Sequence, residues 1–186
     1  MYWLLFASTC CCYGNNHCHP SDETSPLAPT EPYAKSKQQS EKDIVAVGLP
    51  HCCMRLATFY GPGMRPALAP AIFLEKSHHN LPIQIHGTGT QTRTFTYIDD
   101  IVSGILTIVE QPPQYTVINI TTEESVSVNE MMTICNQLTG NQPPYQHVED
   151  RPGQIYKEVI HSKRLQSMGW TPNTSFKEGM KQSYES

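Results

Sequence analysis

What confines this chain most is a change of hydrophobic period around one segment. The run Cys52 to Thr58 is continuously apolar, a helical pattern from Tyr33 to Val47 precedes it, and an apolar run from Tyr2 to Ala7 precedes that. A short run without polar alternation fits a strand buried on both faces, which occurs where parallel strands are covered by crossover helices. The first sixty residues therefore read as strand, helix, strand. Gly61-Pro62-Gly63 closes the unit as a turn.

The alternation continues. Residues 68 to 79 read as a helix, Ile83 to His86 as a short strand and Thr94 to Tyr97 as an extended piece. The helix from Ile98 carries Ile101, Ile105 and Ile108 on one side and stops before Pro112-Pro113. Asp99 and Asp100 fall in its first turn, where they complement the helix dipole. Thr116 to Ile120 is a further apolar strand. Ser127-Val128-Asn129-Glu130 forms a capping box before a helix with Met131, Ile134 and Leu138 inward and Gly140 as its stop. A short helix around 162 to 168 follows, and Ser175-Phe176-Lys177-Glu178 caps the last one. Residues 15 to 30 form a polar, proline-rich loop, as does the passage leading to Arg151-Pro152-Gly153. Alternating strands and helices argue an α/β fold.

With 186 residues the chain can bury one sizeable core. A net charge of −4 gives no basic footprint for nucleic acid. The Tyr2 to Ala7 run is too short for a bilayer and no positively charged leader precedes it, so it reads as a buried strand and no membrane is expected. Seven cysteines, several adjacent, make a poor disulfide framework. Free thiols in a reducing, cytoplasmic compartment are the simpler account. Cys10, Cys11, Cys12, His17, Cys18 and His19 could hold a soft metal, but no paired Cys-x-x-Cys sets the spacing, and no metal is expected.

Tyr33 and Lys37 stand four residues apart and share one helix face, so a hydroxyl and an ammonium address the same bound molecule. Phenols titrate near pH 10, and lowering that by three units costs roughly 4 kcal/mol. A cation at about 4–6 Å supplies ~1–3 units, so a lysine brings a phenol only part of the way. A second positive centre, such as an oxidised nicotinamide ring, would complete the shift. Thr9, at the end of the first strand, could hydrogen-bond the same substrate oxygen.

The run Phe6-Ala7-Ser8-Thr9 with Tyr13-Gly14, then Asp22-Glu23-Thr24, Pro29 and Pro32-Tyr33-Ala34-Lys35-Ser36-Lys37 with Glu41, resembles the extended short-chain dehydrogenase/reductase family. Within it the likeness is to NAD-dependent epimerases and dehydratases of nucleotide sugars, 4-epimerases above all. It continues through Met54 to Gly63, Gly87-Thr88-Gly89, Arg93 to Ile101, Asn119-Ile120, Arg151-Pro152-Gly153 and Gly169-Trp170-Thr171-Pro172. The family's Gly-rich G-x-x-G-x-x-G turn is absent, so the chain reads as the C-terminal portion of a longer enzyme. A partial Rossmann-type, doubly wound parallel sheet with a smaller α/β substrate-binding part is expected. Residues 1–60 would be the remnant of the dinucleotide-binding domain and 61–186 mainly the nucleotide-sugar-binding part, with the strand near 116–120 returning to the Rossmann sheet.

The resemblance implies an NAD-dependent isomerase acting on a UDP-sugar at C4 through a transient 4-keto sugar. Tyr33 would be the acid/base, Lys37 would hold the nicotinamide ribose and ease Tyr33's ionisation, Thr9 would bond the reacting hydroxyl, and Ala57 would pass beside the nicotinamide. Thr58, Arg65, Arg93 and Arg151 would meet the substrate, the last two at its diphosphate and ribose; read as ordinary surface residues, Arg93 and Arg151 would pair with Asp99, Asp100 or Asp150, and Arg65 would be structural. Thr58 stands where many epimerases have Asn, whereas glucuronate-type members resemble this chain in having Thr; Thr94 replaces a common Asp. His78, His79 and His86 show no convincing partners. The other readings are a truncated or split non-catalytic chain that keeps sugar-nucleotide or partner binding, and a Cys/His metal protein. A homodimer, or a companion chain supplying the missing half, would cover the open sheet edge; without one, low stability is expected.

Overall fold

The computed structural model describes residues 3–14, 20–111, 114–151 and 156–186. Tyr2, His17, Cys18, His19, Pro112, Pro113, Pro152 and Gly153 lie outside the described residues.

Strand β1 (Leu4–Thr9), helix α1 (Pro32–Val47) and strand β2 (His51–Leu56) form the first unit, with β1 and β2 parallel. Pro32 opens α1, where its missing N–H costs nothing, and Gly48 closes it in the left-handed conformation. Strand β6 (Val117–Ile120) completes a three-stranded parallel sheet in the order β1-β2-β6.

The run read as one strand from Cys52 to Thr58 is two. At Ala57 the chain donates its N–H to Ile120 O at 3.2 Å and then leaves this sheet. Strand β3 (Thr58–Tyr60) pairs instead with β5 (Thr92–Tyr97), in parallel. Hydrophobic period cannot register such a switch, because both strands are apolar and only the partner changes. Nor is β1 a buried strand: Leu4 and Ala7 are exposed, and only Ser8 and Thr9 are buried. Among the described residues β1 pairs on one side only.

Helix α2 (Ala69–His78) and strand β4 (Ile83–His86) follow β3. After β5 come helix α3 (Ile98–Glu110), β6, strand β7 (Ser125–Ser127), helix α4 (Val128–Thr139) and strand β8 (Tyr145–Val148). Strand β7 runs antiparallel to β5, and β4 pairs with β8 in parallel. Helices α5 (Lys163–Ser167) and α6 (Phe176–Glu185) end the chain. The capping box at Ser127 and Glu130 forms as the sequence indicates, and Gly140 ends α4.

Among the described residues three apolar clusters result, the smallest formed by Cys10, Tyr13, Ala57 and Ile160. Of the larger two, one lies between the β1-β2-β6 sheet and α3, where Ile101 and Ile108 meet Met54, Ile118, Ile120 and Trp170. The other gathers Tyr60, Phe95, Tyr97, Phe176 and Met180 with α2 and α4. Gly179 is required there, since a Cβ would sit 2.3 Å from Tyr60 Oη. Asp100 is buried and does more than complement a dipole: its two oxygens accept the backbone N–H groups of Asn173 and Thr174 at 2.9 and 3.1 Å, tying the C-terminal segment to α3. His78 and His86 do have partners: His78 Nδ1 lies 3.0 Å from Tyr184 OH, and His86 Nδ1 lies 3.1 Å from Glu149 O.

Candidate active site

The C-terminal ends of β1 and β2 open into a cleft of about 840 Å³, within the ~300–1,000 Å³ typical of small-molecule sites. Ligands of open parallel sheets bind at this end of the strands. Thr9, Tyr33, Lys37, Ala57, Thr58 and Arg65 all line it, although three separate segments of sequence supply them.

Each is placed by a local device. Thr9 ends β1 and caps the 3-10 turn Cys10–Tyr13, its Oγ1 accepting the Cys11 N–H at 3.2 Å. The Thr9 O–H proton is thereby left to point at another acceptor. Gly14, at φ +62°, ends this turn where any Cβ would strike the Ala28 carbonyl. That close approach holds the loop leading to α1 against the turn. Tyr33 is the second residue of α1 and is 56% exposed, open to an incoming molecule. One turn on, Lys37 Nζ donates to Ala7 O at 2.8 Å and lies 4.9 Å from the Phe6 ring centroid and 5.9 Å from that of Tyr33. One of three ammonium donors is used, leaving two for a ligand's hydroxyls.

Arg93 and Arg151 do not line the cleft. Arg93, on β5, is partly buried; burial lowers its pKa, and Glu158 partly offsets that. Arg151 is exposed, and its backbone N–H donates to Asp150 Oδ1 at 2.9 Å. Asp150 also accepts a hydrogen bond from Tyr156 OH, and Asp100 accepts the Asn173 N–H, so these two carboxylates have partners of their own. Glu158, on the other hand, lines the cleft beside Cys10 and Cys11, though its sequence surroundings carry no site signal.

Beneath the cleft lies a polar layer that the sequence reading missed. Ser8, Arg55 and Asn119 stand opposite one another across β1, β2 and β6, and all three are buried. Arg55 grips Glu41 of α1 through Nε to Oε1 at 3.0 Å and Nη2 to Oε2 at 2.6 Å. Ser8 Oγ donates to the same Oε1 at 2.5 Å. Arg55 Nη1 donates to Tyr13 OH at 3.1 Å, and Tyr13 OH donates to Asn119 Oδ1 at 2.8 Å. Burial alone would lower the Arg55 pKa, but its hydrogen bonds to Glu41 and Tyr13 and their charges outweigh it and the net shift is upward. Burial pushes the Tyr13 phenol up to about 12, so it remains a donor at neutral pH. The one available signal was the oddity of Arg55 inside an otherwise apolar run.

The buried thiols among the described residues are structural. Cys10 Sγ donates to Arg55 O at 3.2 Å and Cys12 Sγ to Ala34 O at 3.5 Å. Burial pushes the thiols of Cys52 and Cys135 up to about 12, away from the thiolate that would bind metal. Among the described residues no three His, Cys, Asp or Glu side chains converge on one point, and no helix is long and apolar enough to cross a membrane.

Comparison with known proteins follows the same lines. The sequence model of the NAD dependent epimerase/dehydratase family matches residues 3–121. A dTDP-D-glucose 4,6-dehydratase of Bos taurus is 31% identical over 193 residues, covering 98% of this chain and 54% of that protein. The solved UDP-glucose 4-epimerase of Thermotoga maritima, with UDP-glucose, superposes with a TM-score of 0.88 at 29% identity, over 98% of this chain and 62% of that one. The UDP-glucose 4-epimerase of Thermus thermophilus, in complex with NAD, gives 0.87 at 26% identity, over 98% and 63%. The chain spans about half the length of the curated relatives it matches.

Proposed function

Because the chain belongs to the NAD-dependent epimerase/dehydratase family, we propose that its cleft binds the nicotinamide end of NAD together with a nucleotide sugar and inverts the sugar at C4. The observation that carries this reading is the convergence of Thr9, Tyr33 and Lys37 on one cleft with Ala57, Thr58 and Arg65 around them. The residues present fit that end of the dinucleotide: Lys37 has two unused donors for a ribose diol, and Ala57 offers a small side chain beside which a flat ring can lie. Held there, NAD would supply the hydride acceptor and donor for the sugar carbon, and return of the hydride to the opposite face of the ketone would give the inversion.

The chain's own residues handle the proton and the orientation. Tyr33 takes the proton of the C4 hydroxyl as the carbon is oxidised and gives it back on reduction, because hydride leaves most readily from an alkoxide-like oxygen. Thr9 directs its O–H at the same oxygen and sets the angle of approach. Lys37 holds the ribose and keeps positive charge beside the Tyr33 ring. Arg65 approaches the diphosphate, whose oxygens suit a planar guanidinium. Arg93 and Arg151 contribute from outside the cleft lining, at the nucleotide.

The test is calorimetric titration of the folded chain with NAD, followed by turnover of UDP-glucose. Saturable NAD binding and formation of the 4-epimer are expected. Tyr33→Phe should retain binding while slowing turnover by about 10²–10⁴-fold, the usual contribution of a positioned acid/base. Folded protein that binds no NAD, or a Tyr33→Phe variant as fast as the wild type, overturns the reading.

A further inference from the structure

We infer that Glu41 is a positioning residue for this site, holding Tyr33 and Lys37 in register with Thr9 through the buried Ser8 hydroxyl and Arg55 guanidinium. The inference rests on the function proposed above and extends it to a residue outside the cleft.

Tyr33, Lys37 and Glu41 recur every four residues along α1, so they fall within about 80° of one another around the helix. The first two line the cleft; Glu41 is buried below it. A single carboxylate oxygen there receives both Ser8 Oγ and Arg55 Nε, and the other receives Arg55 Nη2. Ser8 is the residue before Thr9, and Arg55 is its neighbour across the sheet. The helix that bears the tyrosine and the strand that ends in the threonine are therefore joined through one group.

The chemistry of the joint makes it directional. Apolar packing lets a helix slide by fractions of an ångström at little cost, whereas a bidentate guanidinium–carboxylate pair accepts one geometry. Helix α1 has little else to hold it. Apart from Ala34 and Glu41 none of its residues is buried, so the polar joint, with the Lys37 bond to Ala7 O and the Cys12 Sγ bond to Ala34 O, sets where it sits. Proton transfer from a substrate hydroxyl demands that Tyr33 and Thr9 reach one oxygen together, and a displacement of about 1 Å can cost 10²-fold in rate. Below the site, the same row ends at Asn119, whose Nδ2 donates to His161 O and whose N–H donates to Glu23 Oε1. The loop before α1 is thus held to the same layer.

The test uses the full chain with NAD and UDP-glucose, at a temperature where all variants are folded. Ser8→Ala removes the hydroxyl that ties β1 to Glu41 and leaves the Arg55–Glu41 pair and the Lys37 bond to Ala7 O in place. Its expected result is a fall in kcat of at least about tenfold with KM within about twofold, since the binding groups remain and only their alignment loosens. The double variant Glu41→Leu/Arg55→Met replaces the ion pair by apolar groups and is the second arm should Ser8→Ala not fold. It should melt above the Glu41→Leu single variant yet turn over at least about tenfold more slowly than wild type. A purely structural role predicts the opposite, with melting temperature changed and kcat per folded molecule unchanged, and that result overturns the inference. A wild-type chain with no turnover overturns the function and the inference together. An active wild type matched by both variants overturns the inference alone.

Discussion

At the depth where Ser8, Arg55 and Asn119 lie buried across β1, β2 and β6, the other half of the molecule has Tyr60, Phe95, Tyr97, Phe176 and Met180. There the rings of Tyr60 and Phe176 pack at 5.1 Å and those of Phe95 and Phe176 at 5.5 Å. One region is held by hydrogen bonds of fixed direction and the other by burial of area, which is indifferent to small shifts. Desolvating a guanidinium and a carboxylate consumes much of what their attraction returns, so the polar layer contributes little net stability for its size. What it contributes is a single permitted arrangement, and it lies under the cleft. The aromatic core, which reaches the cleft wall at Tyr60, supplies stability and tolerates imprecision.

The largest expected effect tests the first half of that contrast. Glu41→Leu alone leaves Arg55 buried without its counter-charge and should cost about 3–5 kcal/mol in urea unfolding. Adding Arg55→Met should bring the loss down to about 1–3 kcal/mol, the cost of leaving the Ser8 hydroxyl without its acceptor. If the double variant is as unstable as the single one, the layer is stabilising in its own right and the contrast fails.

In the aromatic core, Gly179→Ala drives a methyl into Tyr60 Oη and to 2.7 Å from Tyr97 Cδ2. It should cost about 1–3 kcal/mol, the usual range for overpacking. The rings can shift together, so turnover per folded molecule should stay at the wild-type value; an altered kcat would show that the two regions are coupled.

The smallest effect belongs to neither region. Ser127→Ala removes the α4 cap and should cost about 1 kcal/mol at neutral pH. Hydrogen bonds from the Ser127 backbone and side chain lower the pKa of Glu130. A carboxylate depressed in the folded state stabilises above its unfolded value, about 4.3, and the contribution fades as pH falls below that through the folded value. The difference between wild type and variant, followed by denaturant midpoint, should therefore narrow below about pH 4.

Much of this was legible in the chain itself. The cap at Ser127, the stop at Gly140, the Ile101–Ile105–Ile108 face and the Tyr33–Lys37 spacing are local patterns, dictated by backbone hydrogen bonding and by 3.6-residue periodicity, and the structure contains each of them. The division of the Cys52 to Thr58 run at Ala57 was not legible, because the two strands differ only in their partners, Ile120 on one side and Phe95 on the other. Glu41 could be seen in the sequence only as a charge on a polar helix, and Arg55 only as an intruder in an apolar strand.

The sequence by itself determined the alternation of strands and helices, the ends of the helices and the kinds of side chain available for proton transfer, since each depends on neighbours a few residues away. The tertiary structure alone decided that Arg93 and Arg151 stay outside the cleft lining, that Glu158 joins it, and that Ser8, Glu41, Arg55, Tyr13 and Asn119 form one buried network. Directly bonded members of that network stand up to 106 positions apart in sequence. A polar group's role depends on which partner reaches it once water is excluded, and that is set by the packing of distant segments.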